Sequence, residues 1–113
     1  MREFTTGATR DDDDTKNDYE GFLSPLVIEA FGNYMTKHRK QADGTLRDSD
    51  NWQKGYGEGD EHYNVCMKSM WRHFLAVWKW HRGWDSAEGV EESLGGLLFN
   101  VMAYWDRLLR EVE

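Results

Sequence analysis

Residues 85–113 read DSAEGVEESLGGLLFNVMAYWDRLLREVE and contain the clearest helical pattern in the chain. Asp85 and Ser86 stand where such a helix would begin, and Glu88 follows three residues after Asp85 in an approximate capping box. Beyond them apolar side chains recur every three or four positions, which is typical of an amphipathic α-helix. These side chains are Leu94, Leu97, Leu98, Val101, Met102, Trp105, Leu108, Leu109 and Val112.

Two further helices are predicted before this one. The first begins at Ser24-Pro25, because serine is a good N-cap and proline is tolerated at the first helical position, and it ends near residues 37–40. The second runs from about residue 61 to 82 and stops at Gly83, a common residue after a helix C-terminus. A broad apolar face on the second helix predicts core packing rather than a cofactor site, and it consists of Val65, Met67, Met70, Trp71, Phe74, Leu75, Val77 and Trp78.

Length and composition bound the class of protein. The chain of 113 residues is one all-α domain of three main helices in a bundle, with an irregular segment over residues 1–22. Three helices make a thin core, and six tryptophans predict that some apolar surface closes a subunit interface, so that oligomerisation completes the bundle. No apolar run is long enough to span a membrane, and the N-terminus lacks the apolar region of a secretory signal. The single Cys66 fits a reducing compartment such as the cytoplasm.

Charge is distributed unevenly along the chain. The net charge of −7 argues against general affinity for nucleic acid. Residues 64–84 carry four basic side chains and no acid, whereas residues 85–113 carry seven acids against two bases. This pattern suits an anionic ligand that also needs a metal, or it reflects helices that complement one another electrostatically.

The segment between the first two helices combines several binding groups. Residues 48–55, DSDNWQKG, place two carboxylates, an amide, an indole and a cation together. Binding groups concentrate on loops of rigid scaffolds, which favours a site here. The alternative is a structured linker, in which an aspartate caps a turn and Trp52 folds onto the core. The glycines that follow, over residues 55–60, predict a flexible lid or an insertion.

Acidic side chains on two helices form a candidate metal site. Glu29 lies on the first helix, and Glu91 and Glu92 lie on the third, off its apolar stripe. Carboxylates of this kind hold Mg²⁺ together with substrate phosphates, and a water activated there can attack a phosphoryl group. The adjacent Gly95 and Gly96, which weaken a helix by about 1 kcal/mol each relative to alanine, indicate close approach of another helix or a ligand. Nucleotide pyrophosphate hydrolysis fits these groups, as do other anion-binding functions.

Four segments carry a family resemblance. They are TGATR (6–10) with KNDYEGFLSP (16–25), residues 47–55, MKSMWRHF (67–74) and LFNVMAYW (98–105). Together they resemble the phage and bacterial dATP/dGTP diphosphohydrolase-like domain family, which is similar to the MazG-like all-α nucleotide pyrophosphohydrolases. The resemblance implies a homo-oligomeric enzyme that uses Mg²⁺, with Mn²⁺ as an alternative. Its implied reaction converts a deoxynucleoside triphosphate, a purine one, to monophosphate and pyrophosphate in the cytoplasm of a phage-infected bacterium.

The resemblance also implies roles for individual residues. Phosphates would be bound by Arg10, Lys16, Lys54 and Arg72. The nucleotide pocket would be shaped by Asn51, Trp52 and His73. The metal-binding and catalytic set would be Glu29, Glu91 and Glu92.

Two observations leave an alternative open. MazG-like enzymes carry a Glu-Glu-x-x-Glu cluster on one helix and Glu-x-x-Asp on the next, whereas the second helix here has no acid after Glu61. His73 lies among apolar neighbours, where a histidine satisfied within the core is the commoner outcome. The alternative function is a non-catalytic phage protein on the same fold that binds a nucleotide or a host protein.

Overall fold

The chain folds into three long helices preceded by short elements. The computed structural model describes residues 2–3, 7, 9–10, 15–85 and 87–111. The elements are β1 (Arg2–Glu3), β2 (Thr9–Arg10), α1 (Tyr19–Phe22), α2 (Pro25–Lys37), a 3₁₀ helix (Asn51–Gly55), α3 (Glu61–His81) and α4 (Val90–Glu111). The predicted all-α class with three main helices is confirmed.

Parts of the N-terminal segment form short regular elements. β1 and β2 pair antiparallel, with Arg2 opposite Arg10, and α1 adds one helical turn. The side chain of Asp18 caps that turn by accepting a hydrogen bond from the Gly21 amide at 3.0 Å. The acidic run at residues 11–14 lies outside the described residues.

The start of α2 follows the predicted local chemistry. The hydroxyl of Ser24 accepts a hydrogen bond from the Val27 amide at 3.2 Å, and Pro25 occupies the first turn. The helix ends at Lys37, where a basic side chain interacts favourably with the negative end of the helix dipole.

The start of α4 differs from the prediction. The helix begins at Val90, five residues after Asp85, and Ser86 lies outside the described residues. Gly89 adopts φ +85°, a left-handed conformation that turns the chain immediately before the helix. Glu88 accepts a 2.6 Å hydrogen bond from the Ser93 hydroxyl, so this carboxylate satisfies a side chain of the first turn rather than a capping box with Asp85.

The glycine pair explains how α4 fits between its two neighbours. A Cβ at Gly95 would lie 2.5 Å from the Tyr34 ring of α2, and a Cβ at Gly96 would lie 2.5 Å from the His73 ring of α3. Successive residues of a helix point about 100° apart, so each of the two adjacent glycines allows a different helix to pack closely against α4. The predicted close approach of another helix is confirmed, and it occurs on both sides of α4.

The apolar face of α3 is mostly exposed, contrary to its predicted role as core. Met70 and Val77 are half-buried, whereas Trp71 is 67% exposed and Phe74 and Trp78 are also exposed. The physical reason is that α2 packs against α4, leaving this side of α3 uncovered. The radius of gyration of 19.1 Å reflects this open arrangement, because a compact domain of this length has about 13 Å.

The glycine-rich segment before α3 is hydrogen-bonded to the C-terminal half of α4. The Tyr56 hydroxyl donates to Asp106 at 2.6 Å, and Nη2 of Arg107 donates to the Gly59 carbonyl at 2.6 Å. Among the described residues, no helix has the length and apolar character needed to cross a membrane.

Candidate functional site

A groove of about 540 Å³ runs between α2 and α4. Its walls are mainly apolar, and they include Leu26, Phe31 and Leu98. Its polar lining comes from Asn33, Tyr34, Lys37, Glu91 and Glu92. The groove therefore joins an apolar surface to a rim that holds two of the three predicted metal-binding carboxylates.

A second cavity of about 290 Å³ lies beside the groove and shares Tyr34 with it. It is formed by the end of α2, the segment up to the 3₁₀ helix, and α4. Its lining is mainly aromatic and cationic and includes one carboxylate. It comprises Tyr34, Met35, His38, Arg39, Arg47, Asp48, Ser49, Asn51, Trp52 and Phe99. We call this the Trp52 cavity.

A turn brings the two arginines of the Trp52 cavity together. Asp43 accepts hydrogen bonds from the Thr45 amide at 3.0 Å and from its hydroxyl at 2.6 Å, and these bonds hold the pKa of Asp43 below its ordinary value. The chain thereby reverses, and a β-bridge joins Lys40 to Leu46. Arg39 and Arg47 consequently lie on adjacent strands of the turn.

Each arginine is fixed by the backbone of the other strand. Nε of Arg39 donates to the Arg47 carbonyl at 2.8 Å, and Nη1 of Arg47 donates to the His38 carbonyl at 3.2 Å. A guanidinium carries five N–H donors, so one bond to the backbone orients the group without exhausting it. Two oriented guanidiniums suit a phosphate or a carboxylate.

The aromatic side of the cavity is also fixed. The ring of Trp52 meets Phe99 of α4 edge-on, with centroids 6.3 Å apart, and Tyr56 lies 6.2 Å from it on another side. Half-buried Asn51 begins the 3₁₀ helix and also lines the cavity. Trp52 therefore contacts another helix, as the linker alternative predicts, and lines a cavity, as the site hypothesis predicts.

Glu92 lies at the junction of the groove and the Trp52 cavity. One carboxylate oxygen accepts from Nε2 of His38 and the other from Nζ of Lys37 at 3.2 Å. Partial burial raises the pKa of Glu92, but the bonds and charges of His38 and Lys37 outweigh it and leave that pKa below its ordinary value. Burial also raises the pKa of the neighbouring Tyr34, and the charges of Glu92 and Glu88 add to the effect.

Comparisons with protein-family models, with curated proteins and with solved structures find no match to this chain. The family resemblance and the activity it implies therefore stay predictions.

The predicted metal-binding trio is only partly assembled within one chain. Glu91 and Glu92 line the groove, whereas Glu29 is exposed on α2 and lines neither cavity. In the part of the chain that the structure describes, no group of three His, Cys, Asp or Glu side chains is close enough to hold a metal ion.

The predicted ligand-binding residues fall into two groups. Asn51 and Trp52 line the Trp52 cavity, and Lys54, on the same 3₁₀ helix, pairs with Asp48 at 3.5 Å. The others lie elsewhere. Arg72 is exposed on α3 and donates to the Ser69 hydroxyl at 2.9 Å. Lys16 is exposed before α1, and Arg10 is part of β2.

His73 has a structural role in this arrangement. Its Nδ1 lies 3.3 Å from a Glu88 oxygen, and its ring packs on Gly96 between α3 and α4. It lines neither of the two cavities. This placement matches the alternative of a histidine satisfied within the core.

Most residues of the cavity carry no ligand-binding role predicted from the sequence, and they include Tyr34, His38, Arg39, Arg47 and Phe99. Basic residues at 37–40 fit the end of a helix, where cations interact favourably with the dipole, and this local role gives no sign that His38 and Arg39 also line a cavity. The segments at 47–55 and 98–105 contain Arg47 and Phe99, but only the folded structure shows that both line one cavity.

Proposed function

We propose that this protein binds a deoxynucleoside triphosphate in the Trp52 cavity and converts it to the monophosphate and pyrophosphate with the help of Mg²⁺. One observation carries the proposal: two oriented guanidiniums, an amide and aromatic rings line one cavity, next to a groove whose rim carries two carboxylates. Cavities of roughly 300–1,000 Å³ with few polar groups are the usual form of small-molecule sites.

The parts of a nucleotide have matching partners in the cavity. Arg39 and Arg47 offer planar donor pairs to phosphate oxygens. Trp52 and Phe99 offer apolar ring surface to a base, and the amide of Asn51 can both donate to and accept from a base edge. The triphosphate would extend from the cavity toward the groove, past Tyr34, which lines both.

The carboxylates at the groove would hold the metal ion. Mg²⁺ typically uses one or two protein carboxylates together with substrate phosphates, so Glu91 and Glu92 suffice in number. When bound, the ion would neutralise phosphate charge and lower the pKa of a bound water. Within the chain, Lys37 and His38 keep Glu92 ionised and ready for this role.

A non-catalytic nucleotide-binding protein is the second candidate. The observation that favours it is the occupation of both Glu92 oxygens by Lys37 and His38. A carboxylate engaged in this way must release at least one partner before it binds an ion. In this case the same cavity would bind a nucleotide without hydrolysing it.

Pyrophosphate release from each of the four dNTPs, with Mg²⁺, with Mn²⁺ and with EDTA, tests the proposal. We expect metal-dependent release with a preference for a purine dNTP. We expect the Glu91→Gln/Glu92→Gln double variant to lose at least about 100-fold in rate while retaining nucleotide binding. Saturable binding that survives EDTA, with no release under any condition, would support the second candidate.

A pair of variants separates the cavity from general surface charge. Arg47→Gln removes a cavity guanidinium, whereas Lys40→Gln removes an exposed cation seven residues earlier that lines neither cavity. We expect Arg47→Gln to weaken nucleotide binding about 10-fold or more and Lys40→Gln to change it less than about 2-fold. Equal weakening by both would show that the nucleotide binds through nonspecific charge.

A further inference from the structure

Four exposed apolar side chains form a regular stripe along α3. They are Met67, Trp71, Phe74 and Trp78, separated by four, three and four residues. This alternation is the spacing of the two core positions of a heptad, which places all four on one line of the helix. All four are exposed, whereas Cys66 is buried and His73 half-buried where α3 meets α4.

A second stripe of the same spacing runs along α4. It consists of Leu94, Leu98, Val101, Trp105 and Leu108, separated by four, three, four and three residues, and all five are exposed. Leu94 and Leu98 also line the groove between α2 and α4. The side of α4 that meets α3 is different, because it carries the buried Gly96, Ala103 and Arg107. Each long helix therefore has one face for its partner in the chain and a second, uncovered apolar face.

The two stripes lie on the same side of the α3–α4 pair. Phe74 follows the contact residue His73 by one position, and Leu108 follows the contact residue Arg107 by one position, a rotation of about 100° in each case. α3 and α4 form an antiparallel hairpin, so equal rotations away from their shared contact bring both stripes to one side. The result is a continuous apolar face that spans two helices.

We propose that this face binds a second copy of the chain, and that the two hairpins form a four-helix bundle. The heptad spacing is the geometry with which helices of such bundles interlock. Surface area supports the same conclusion. The chain exposes 9459 Å², whereas a folded monomer of 13.3 kDa exposes about 6,500 Å². The excess is about 3,000 Å² for each chain, and an obligate homodimer interface, which buries about 2,000–5,000 Å² in total from both partners, would cover a third of it or more.

Charge indicates which helices meet across the bundle. α3 carries Lys68, Arg72 and Lys79 against the single acid Glu61, so two copies of α3 side by side would repel. α4 carries four acids against two bases. The favourable arrangement sets α3 of one copy against α4 of the other, which a twofold axis provides twice.

This interface leaves the Trp52 cavity open. Phe99, which lines the cavity, precedes the stripe residue Leu108 by nine positions, or two and a half helical turns, so the two point to opposite sides of α4. The two proposals meet at Leu94 and Leu98, which belong to the stripe and also line the groove between α2 and α4. They are tested separately, because dimerisation is probed through Trp78 and Trp105 and nucleotide binding through Arg47.

Two tryptophans provide a matched test by sedimentation velocity and light scattering. Trp78 is 53% exposed and lies in the stripe; Trp80 is 51% exposed and lies two residues, about 200°, away from it. We expect the wild-type chain to be a dimer. We expect Trp78→Lys, and more so Trp78→Lys/Trp105→Lys, to weaken dimerisation at least about 100-fold, because the interface buries each side chain twice. Trp80→Lys should leave the dimer intact.

Several outcomes would overturn the proposal. One is a wild-type chain that stays monomeric at all concentrations from about 10 micromolar to millimolar. Another is a dimer that survives the double substitution. A third is a dimer that Trp80→Lys disrupts as strongly as Trp78→Lys. Circular dichroism checks that each variant keeps its helices. Should a variant lose them, hydroxyl-radical footprinting of the unmodified chain gives the answer. Trp71 and Trp78 should react with hydroxyl radicals only when the chain is diluted enough for the dimer to dissociate. Reactivity of these two side chains that does not depend on dilution would contradict the interface.

Discussion

Gly96 lies against the imidazole of His73 with no room for a side chain. A Cβ at this position would lie 2.5 Å from ring atoms, and the ring is held in place by Glu88. We expect Gly96→Ala to lower the free energy of unfolding by about 1–3 kcal/mol, because the ring must move out of the α3–α4 contact. Denaturant titration followed by circular dichroism measures the change.

Gly32 is the matched control for this substitution. It lies inside α2, and an added Cβ there meets no atom within 4 Å. Gly32→Ala should therefore stabilise the chain by about 0.4–1 kcal/mol, through helix propensity and a less flexible unfolded state. If both substitutions gave the same sign, crowding by His73 would not be the cause of the Gly96→Ala effect.

Glu92 predicts a dependence of stability on pH. Its pKa in the folded chain lies below the ordinary value of 4.5, so the folded state binds the proton less tightly than the unfolded state does. The resulting stabilisation is fully present above pH 4.5 and is lost as the pH falls through the lowered pKa. We expect the wild-type chain to exceed Glu92→Gln in stability by less than about 1 kcal/mol at pH 7, since Lys37 is well exposed. At pH 3 the difference should be smaller, and an equal or larger difference there would contradict this account.

At the residue scale, interactions between residues close in sequence could be predicted, whereas contacts between residues distant in sequence could not. The Ser24 cap depends on a residue three positions away and took the predicted form. The glycine pair indicated a close approach, but its partners Tyr34 and His73 lie far along the chain and could not be named from the sequence. Arg39 and Arg47 reach one cavity through a turn whose geometry depends on Asp43 and Thr45. Nothing in the residue types showed that Phe99 would lie beside them.

Among the elements, the C-terminal half of α4 has a special role because it anchors the segment before α3. Arg107 is 2% exposed, its guanidinium lies 4.1 Å above the Tyr63 ring, and it bonds both Glu111 at 2.7 Å and the Gly59 carbonyl. Arg107→Met keeps an apolar stem but removes these interactions. We expect it to cost about 2–4 kcal/mol and to speed amide hydrogen exchange in residues 56–60.

Arg110 provides the comparison for that prediction. It is exposed, and it bonds Asp106 at 2.6 Å and the Gln53 side chain at 3.0 Å. Arg110→Met should cost less than about 1 kcal/mol, because solvent screens the pair. If Arg110→Met, but not Arg107→Met, reduced the protection of the amides of residues 56–60, Arg110 and not Arg107 would be the residue that anchors this segment.

At the scale of elements, hydrophobic periodicity predicted the three helices but not which of their faces would be buried. The apolar face of α3 is wider than one contact, because it holds the residues that meet α4 and also the stripe from Met67 to Trp78. Periodicity alone cannot assign these two sets to different partners. The late start of α4 at Val90 depends on the left-handed turn at Gly89, which a capping pattern does not reveal.

For the whole molecule, the proposed dimer predicts that thermal stability depends on protein concentration. A dimer that unfolds to two chains gains stability by mass action. We expect Tm to rise by roughly 2–4 °C for each tenfold increase in chain concentration. Differential scanning calorimetry should show this rise for the wild-type chain and for Trp80→Lys, but not for Trp78→Lys/Trp105→Lys. A Tm that is independent of concentration in all three would contradict an interface that is coupled to folding.

The lone thiol of the chain provides a natural probe of helix separation. Cys66 is 4% exposed where α3 meets α4, and burial raises the pKa of its thiol, so little reactive thiolate exists while the helices stay together. A disulfide reagent reaches this sulfur only during an opening of the pair. The rate at which the reagent labels Cys66 in the native chain therefore measures how often the α3–α4 pair opens, without any engineered tag. Ligand binding or self-association that holds the two helices together would lower this labelling rate.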